Sequence, residues 1–190
     1  CVSDILEKMT FVQRPEINNI YTAFLDKDVC KESLDYLKNI QDRISSNPYH
    51  CKCLTSDNLT NNILNDMRLQ KLHFNILAHI QNYMTHQNAY YEGFIEKSWF
   101  NIYHKDFFQE YHLHMDAINR AICGIVYFSN SPKSMTKFYI HDPISISPEI
   151  GKIVLFPDHV EHRVVVNDED KTRVSLAFNY RKCQLWKGMI

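Results

Sequence analysis

The sequence lacks the features of membrane-spanning, exported and multidomain proteins. Its 190 residues contain no apolar run of the roughly 18 to 20 residues that a bilayer span requires. Residues 1–14 carry charges at Asp4, Glu7 and Lys8 and lack the apolar stretch of a signal peptide. No internal repeat or Pro/Gly/Ser linker divides the chain, and its length suits one domain. We therefore expect a single-domain cytoplasmic protein that does not associate with membranes.

An excess of charge of either sign is also missing. Lys and Arg total 21 and Asp and Glu total 22, so no overall field attracts polyanions, and a nucleic acid is not the expected partner. Hydrophobic residues make up 45% and charged residues 23%, which is typical of a soluble globular protein.

The cysteines do not follow the paired C-x-x-C spacing of structural zinc sites. Only Cys51 and Cys53 lie close together among the six. In a chain without an export signal, we expect free thiols rather than disulfides.

Hydrophobic periodicity divides the chain into a helical part and a β-rich part near residue 90. Apolar residues recur at three- and four-residue steps from Asp28 to Ile44 and from about Thr60 to Met84, which predicts two amphipathic helices. After Gly93, short runs rich in β-branched and aromatic residues alternate with turn-forming residues. The predicted strands are roughly Ser98–His104, Tyr111–His114, Ala121–Phe128, Met135–Ile140, Lys152–Phe156, Arg163–Val166 and Thr172–Tyr180.

Seven or so short strands at this spacing favour a sandwich or jelly roll, with the two helices covering one sheet. We expect residues 1–92 to form a helical support region and residues 93–190 a β core. In the last predicted strand, alternation should place Arg173, Ser175, Ala177 and Asn179 on one face. Val174, Leu176 and Phe178 should then pack against the opposite layer.

One segment of the β-rich part carries three possible metal ligands at alternate positions. In Tyr111-His-Leu-His-Met-Asp116, residues two apart point to the same face of an extended strand and lie roughly 6.5 Å apart. Two such side chains can converge on one ion, and a further ligand can come from His162 after a later buried strand. Two imidazoles and one carboxylate on one face of iron leave three positions open for a cosubstrate and dioxygen.

A second pair of residues suits a dicarboxylate cosubstrate. Arg173 offers a planar fork that pairs with a carboxylate through two hydrogen bonds, and Ser175 adds a hydroxyl on the same face of the strand.

The segments "HMD…GKIVLFPDHVEHRV…TRVSLAFNY" resemble the H-x-D…H…R-x-S signature of the 2-oxoglutarate/Fe(II) oxygenase superfamily. The stretch "SWFNIYHKDFFQEYHLHMDAINRAICGIVYFSN" is similar to compact prolyl-hydroxylase-like and phage-type members, and the likeness covers roughly residues 98 to 181. The resemblance implies a double-stranded β-helix (jelly roll). It implies iron ligands at His114, Asp116 and His162, and cosubstrate contacts from Arg173, Ser175 and Tyr103.

The implied reaction is a hydroxylation that converts 2-oxoglutarate and dioxygen to succinate and carbon dioxide, with ascorbate as an accessory reductant. Demethylation and desaturation begin in the same way, and the scaffold does not choose among them. Nothing in the sequence distinguishes a small-molecule substrate from a peptide side chain.

Alternatives remain open at the metal site. Some phage-type relatives have H-x-H at this strand, which would make His112 and His114 the ligand pair and leave Asp116 uninvolved. Two other functions fit the pattern: a cupin-like module without oxygenase activity, and a hydrolase or isomerase that uses His112, His114 and His162 without dioxygen. His159, three residues before His162, is expected to be an exposed loop residue.

Overall fold

Two antiparallel sheets and two α-helices make up the described part of the chain. The structure is a computed structural model, and it describes residues 10–12, 20–46, 51–114 and 120–183. The helices are α1 (Lys27–Ile40) and α2 (Gln70–His86). The strands are β1 (Thr10–Val12), β2 (Ile20–Phe24), β3 (Ser45–Ser46), β4 (Cys51–Lys52), β5 (Leu54–Thr55), β6 (Gly93–Tyr103), β7 (Phe108–His112), β8 (Arg120–Tyr127), β9 (Thr136–Tyr139), β10 (Ile144–Ile146), β11 (Lys152–Pro157), β12 (Glu161–Val164) and β13 (Arg173–Lys182).

The strands form a larger and a smaller sheet that face each other. The major sheet has the order β1-β2-β11-β8-β13-β6-β5-β3, and the minor sheet has the order β10-β9-β12-β7-β4. Neighbours such as β8 and β11 or β7 and β12 are far apart in sequence, as expected of a jelly roll rather than of consecutive hairpins. The predicted architecture of a jelly roll with flanking helices is confirmed.

The major sheet is buried on both faces, and each face has its own core. On β8, for example, Ile122 and Val126 face the helices, whereas Cys123 and Tyr127 face the minor sheet. This division follows from the two-residue period of a strand. The helix-side core includes Tyr21, Leu37, Ile40, Leu72, Ile76, Ile80, Phe100, Ile153, Leu155, Leu176 and Phe178. The inter-sheet core includes Ile20, Ile125, Phe138, Ile146, Val154, Phe156 and Val160.

The second helix begins later than the sequence predicts. Two short 3-10 turns, Ile63–Asn65 and Met67–Leu69, precede α2. The side chain of Asn62 accepts a hydrogen bond from the backbone N–H of Leu64, and Asp66 accepts one from that of Arg68. Such local bonds satisfy the backbone in a turn instead of a helix. The apolar spacing therefore continues through residues that are not α-helical.

The N-terminal region contributes strands as well as helices. The strand β2, which the sequence analysis missed, pairs with β11 within the major sheet. The short strand β10 was also missed. Another difference concerns His162, which lies just before the predicted strand Arg163–Val166. It lies within β12, because that strand begins at Glu161.

Gly124 in the centre of β8 allows the helix-side core to close. It pairs with Phe178 on β13, and a Cβ atom at Gly124 would lie 2.0 Å from the Phe178 ring. Any side chain here would displace a fully buried aromatic ring.

Among the described residues, no helix is long and apolar enough to cross a bilayer.

Candidate metal and cosubstrate site

Three histidines converge between the two sheets. In the minor sheet, His112 on β7 lies directly opposite His162 on β12, so their side chains share a face. His114 follows two residues later and points the same way. Ligand atoms of the three side chains all lie within 4.8 Å of one another, which suits coordination of one ion.

His162 is held in the form that binds metals. Its side chain is 4% exposed, and its Nδ1 atom lies 3.0 Å from the carbonyl oxygen of Val160. Because a carbonyl only accepts, this contact places the proton on Nδ1 and leaves the Nε2 lone pair for a ligand bond. Burial, with the neighbouring His112 and His114, lowers the pKa of His162 well below its ordinary value. The imidazole therefore stays neutral near pH 7.

His112 takes part in a hydrogen-bonded chain that leads away from the cluster. Its Nδ1 lies 2.9 Å from the backbone oxygen of Glu110, and its Nε2 lies 3.3 Å from the amide nitrogen of Gln109. The side-chain oxygen of Gln109 in turn accepts a hydrogen bond of 2.9 Å from the Tyr103 hydroxyl. Gln109 thus links the histidine cluster to Tyr103, a connection that sequence reasoning missed.

Asp116, the predicted carboxylate ligand, lies outside the described residues. The described residues bring together His112, His114 and His162, the set kept as an alternative above. The predicted iron ligands, His114, Asp116 and His162, therefore stay a prediction. His159 is exposed, as expected, and lies in the turn before β12.

Arg173 is a buried cation in the same cavity. Its residue is 1% exposed, and its guanidinium donates to the carbonyl oxygen of Ser134 at 2.8 Å and to the hydroxyl of Thr136 at 2.9 Å. The rings of Tyr103 and Tyr127 lie on the guanidinium, with centres 5.0 and 5.1 Å from Cζ. Among the described residues, its buried Nε has no hydrogen-bond partner and its guanidinium forms no ion pair.

Such a cation needs an anion, because an unpaired buried charge is costly. A carboxylate entering the cavity would supply one. The buried Nε–H is the donor that such a group would satisfy, so the residues present fit a dicarboxylate as well as a metal.

Strand alternation along β13 is as predicted. Arg173, Ser175, Ala177 and Asn179 all line the cavity that also contains the three histidines. Leu176 belongs to the helix-side core, and Val174 packs against that core. Phe178 also borders the cavity, although its ring packs over Gly124. Further lining residues that the sequence analysis did not assign to the site are Trp99, Asn101, Gln109, Cys123, Ile125 and Val164.

Tyr103 lies at the Arg173 end of the cavity. It is 1% exposed, and burial raises the pKa of its phenol well above the ordinary value. The hydroxyl therefore keeps its proton and remains a hydrogen-bond donor. Ser175 is 2% exposed on the same strand face as Arg173. The three predicted cosubstrate residues are thus brought together.

Comparisons with known proteins show that the chain is similar to 2OG-Fe(II) oxygenases in one sequence segment and in fold. A family model described as "Putative 2OG-Fe(II) oxygenase" matches residues 138–179. No curated protein matches the sequence. Among solved structures, the fold is similar to that of a prolyl-4-hydroxylase from Pseudomonas putida, with a TM-score of 0.69 and 13% identity. That alignment covers 87% of this chain and 94% of the other.

Two further structures extend the comparison. A prolyl hydroxylase from Trichoplax adhaerens, in complex with a hypoxia inducible factor oxygen degradation domain peptide fragment, aligns with a TM-score of 0.67 and 12% identity over 86% of this chain and 83% of the other. A non-heme alpha-ketoglutarate-dependent epimerase of nogalamycin biosynthesis aligns with a TM-score of 0.68 and 11% identity, over 86% of this chain and 77% of the other. The predicted resemblance is confirmed by the family match and by the fold.

Proposed function

We propose that this chain, which carries the fold and a family segment of the 2-oxoglutarate/Fe(II) oxygenases, is an Fe(II)- and 2-oxoglutarate-dependent dioxygenase that acts as a hydroxylase. The observation that carries the proposal is the sharing of one cavity by the histidine cluster and Arg173. A metal site and a buried cation with an unsatisfied donor are what a chelating dicarboxylate needs at its two ends.

His114 and His162 are proposed as two of the iron ligands. Asp116 is the proposed third ligand, since a carboxylate balances the ferrous charge. The hydrogen bonds at both ring nitrogens of His112 support a positioning role for that residue. In the alternative set His112 is an iron ligand. The side-chain amide of Gln109 would then have to give up its hydrogen bond to the Nε2 atom of His112.

The far carboxylate of 2-oxoglutarate is proposed to bind Arg173, with Ser175 as a further donor. The Tyr103 hydroxyl is a third donor once it exchanges its hydrogen bond to Gln109 for one to the carboxylate. Arg173 is already oriented by its hydrogen bonds to Ser134 and Thr136, so little side-chain entropy is lost on binding. The apolar walls Ile125 and Phe156 exclude water, which strengthens the charge-assisted bonds inside.

Iron and 2-oxoglutarate, when bound, would activate dioxygen as carbon dioxide is lost and succinate is formed. Residues of the cavity would keep the iron and the 2-oxoglutarate in one orientation during the reaction. The neutral His162 imidazole holds its Nδ1 proton on Val160, and the fork of Arg173 fixes the far end of the cosubstrate. The substrate is a small molecule or a peptide side chain that approaches the histidine end of the cavity.

Succinate formation tests the proposal. The protein should be incubated with Fe(II), ascorbate, 2-oxoglutarate and dioxygen, and succinate should be measured with and without oxygen. We expect oxygen-dependent succinate even without a primary substrate, and none from His162→Ala. His159→Ala is the matched control, because this exposed histidine should leave the activity unchanged.

Two outcomes of these measurements would contradict the proposed function and favour another one. Metal binding without succinate formation or 2-oxoglutarate binding would favour a cupin-like module. Turnover of a substrate without dioxygen would favour a hydrolase or isomerase that uses the three histidines, the set that the described residues bring together.

A further inference from the structure

Cys51 and Cys53, which the proposed function does not use, lie where the chain passes from one sheet to the other. The strand β4 pairs with β7 in the minor sheet, and β5 pairs with β6 in the major sheet. Cys53 forms the bend between them, and the two sulfur atoms are 2.8 Å apart. A disulfide bond is about 2.05 Å long, so the sulfurs need to approach by only about 0.8 Å.

The two thiols differ in access and in acidity. Cys51 is half-buried, whereas Cys53 is 3% exposed. The hydrogen bond from Cys53 lowers the pKa of Cys51, and the same bond together with burial raises the pKa of Cys53. A half-buried thiol whose pKa is lowered by a hydrogen bond with a second thiol is the arrangement of redox-sensing cysteine pairs.

We propose that Cys51 and Cys53 are a reversible oxidation site for peroxides, at which they form a disulfide. The Cys51 thiolate attacks one peroxide oxygen, the O–O bond breaks, and the sulfur becomes a sulfenic acid as hydroxide leaves and takes a proton to form water. The Cys53 sulfur then attacks the Cys51 sulfur and displaces a second water. Two thiols are oxidised by two electrons, and one hydrogen peroxide is reduced to two waters.

This site adjoins the 2-oxoglutarate end of the cavity. Cys53 packs in one buried cluster with Tyr103 and Val164. Drawing Cys53 toward Cys51 would shift the packing of Tyr103, whose hydroxyl is the proposed cosubstrate donor. The disulfide should therefore weaken 2-oxoglutarate binding. This regulatory consequence rests on the proposed function, whereas formation of the disulfide does not.

Mass spectrometry tests the disulfide independently of activity. The metal-free protein is treated with hydrogen peroxide, quenched with catalase and a thiol-blocking reagent, and digested with trypsin. Cleavage after Lys52 separates Cys51 from Cys53 in the reduced chain. A product whose mass shows residues 44–52 and 53–68 joined although the Lys52–Cys53 peptide bond is cut therefore contains the disulfide. We expect the joined product, its loss on dithiothreitol treatment, and its absence from Cys51→Ser and Cys51→Ala.

The exposed Cys183 serves as an internal standard for ordinary thiol oxidation. Oxidation of Cys183 at peroxide concentrations that leave residues 51 and 53 unlinked would overturn the proposed site.

The apparent KM for 2-oxoglutarate tests the regulatory consequence. After peroxide is removed and iron is added, the oxidised protein should have a KM raised roughly threefold to tenfold, because Tyr103 is displaced rather than removed. Dithiothreitol should restore the original KM, and Cys51→Ser should not respond to peroxide. A joined peptide with an unchanged KM would contradict the regulatory role. Absence of succinate from both forms, with the joined peptide present, would instead contradict the proposed function.

Discussion

The two faces of the major sheet are made by the same strands but have different chemical content. On β13, Leu176 is fully buried in the helix-side core, whereas Arg173 and Ser175 line the cavity. On β6, Phe100 and Ile102 face the helices, whereas Tyr103 faces the cavity. The helix side is therefore mostly apolar and closely packed, and the cavity side holds buried polar groups such as Arg173 and Ser175.

This difference shows how a small jelly roll can carry both a stable core and a costly site. The two-residue period separates the two roles on adjacent residues of a strand. Buried apolar area on the helix side offsets the cost of desolvating groups such as Arg173. Substitutions on the helix-side face should therefore affect folding, and those on the cavity face should affect binding and activity.

The largest effect is expected for Leu176→Asp. An unpaired carboxylate would be placed in the helix-side core at a cost of several kcal/mol, a large share of the roughly 5 to 15 kcal/mol that stabilises a typical domain. We expect unfolding, visible as loss of the circular dichroism signal of the native protein. Asn179→Ala on the cavity face of the same strand should fold and alter activity. Comparable folding of the two variants would break the distinction between the faces.

The next largest effect concerns the metal. Asp116→Ala should lower iron affinity and abolish coupled turnover, because it removes the proposed charged ligand and leaves neutral imidazoles. His112→Ala should be mild in both respects. Iron content after gel filtration and the rate of succinate formation are the measurements. An inactive His112→Ala beside an active Asp116→Ala would establish His112, His114 and His162 as the ligands.

An intermediate effect is expected at the other end of the cavity. Arg173→Ala should raise the apparent KM for 2-oxoglutarate about tenfold to several hundredfold with little change in iron content. Hydrogen bonds to charged groups are worth roughly 1.5 to 3 kcal/mol, and a stranded carboxylate adds to the loss. Arg173→Lys should recover part of the affinity, since the charge remains but the fork does not. Unchanged 2-oxoglutarate affinity in the alanine variant would remove this residue from the site.

The smallest effect is expected on the outer face of the minor sheet. The Tyr111 side chain, 41% exposed, packs edge-on against Tyr139 at 4.2 Å between ring centres and beneath the Arg163 guanidinium. Tyr111→Ala should cost about 1 kcal/mol of unfolding free energy, measured by urea denaturation, and leave the KM for 2-oxoglutarate unchanged. A loss of several kcal/mol would mean that the open face also contributes to the core.

Much of the fold, and the strand faces on which the candidate site residues lie, could be predicted from the sequence. The two-residue period of Thr172–Tyr180 correctly assigned Arg173 and Ser175 to one face of the strand and Leu176 to the other. Strand alternation is a local property of the backbone, so the sequence is enough to predict it. The helix α1 was predicted for the same reason, from spacing at three and four residues. The late start of α2 was missed, because the apolar spacing continues through the turns capped by Asn62 and Asp66.

The candidate site residues could be identified from the sequence alone: the H-x-H-x-D run, the distant histidine, and the arginine two residues before a serine. Only the tertiary structure decided which of them meet, because β7 and β12 lie about fifty residues apart in sequence and yet pair directly. It also decided that Gln109 joins His112 to Tyr103, and that Ser134 and Thr136 orient Arg173. Such contacts depend on strand register across two sheets, which local periodicity does not specify.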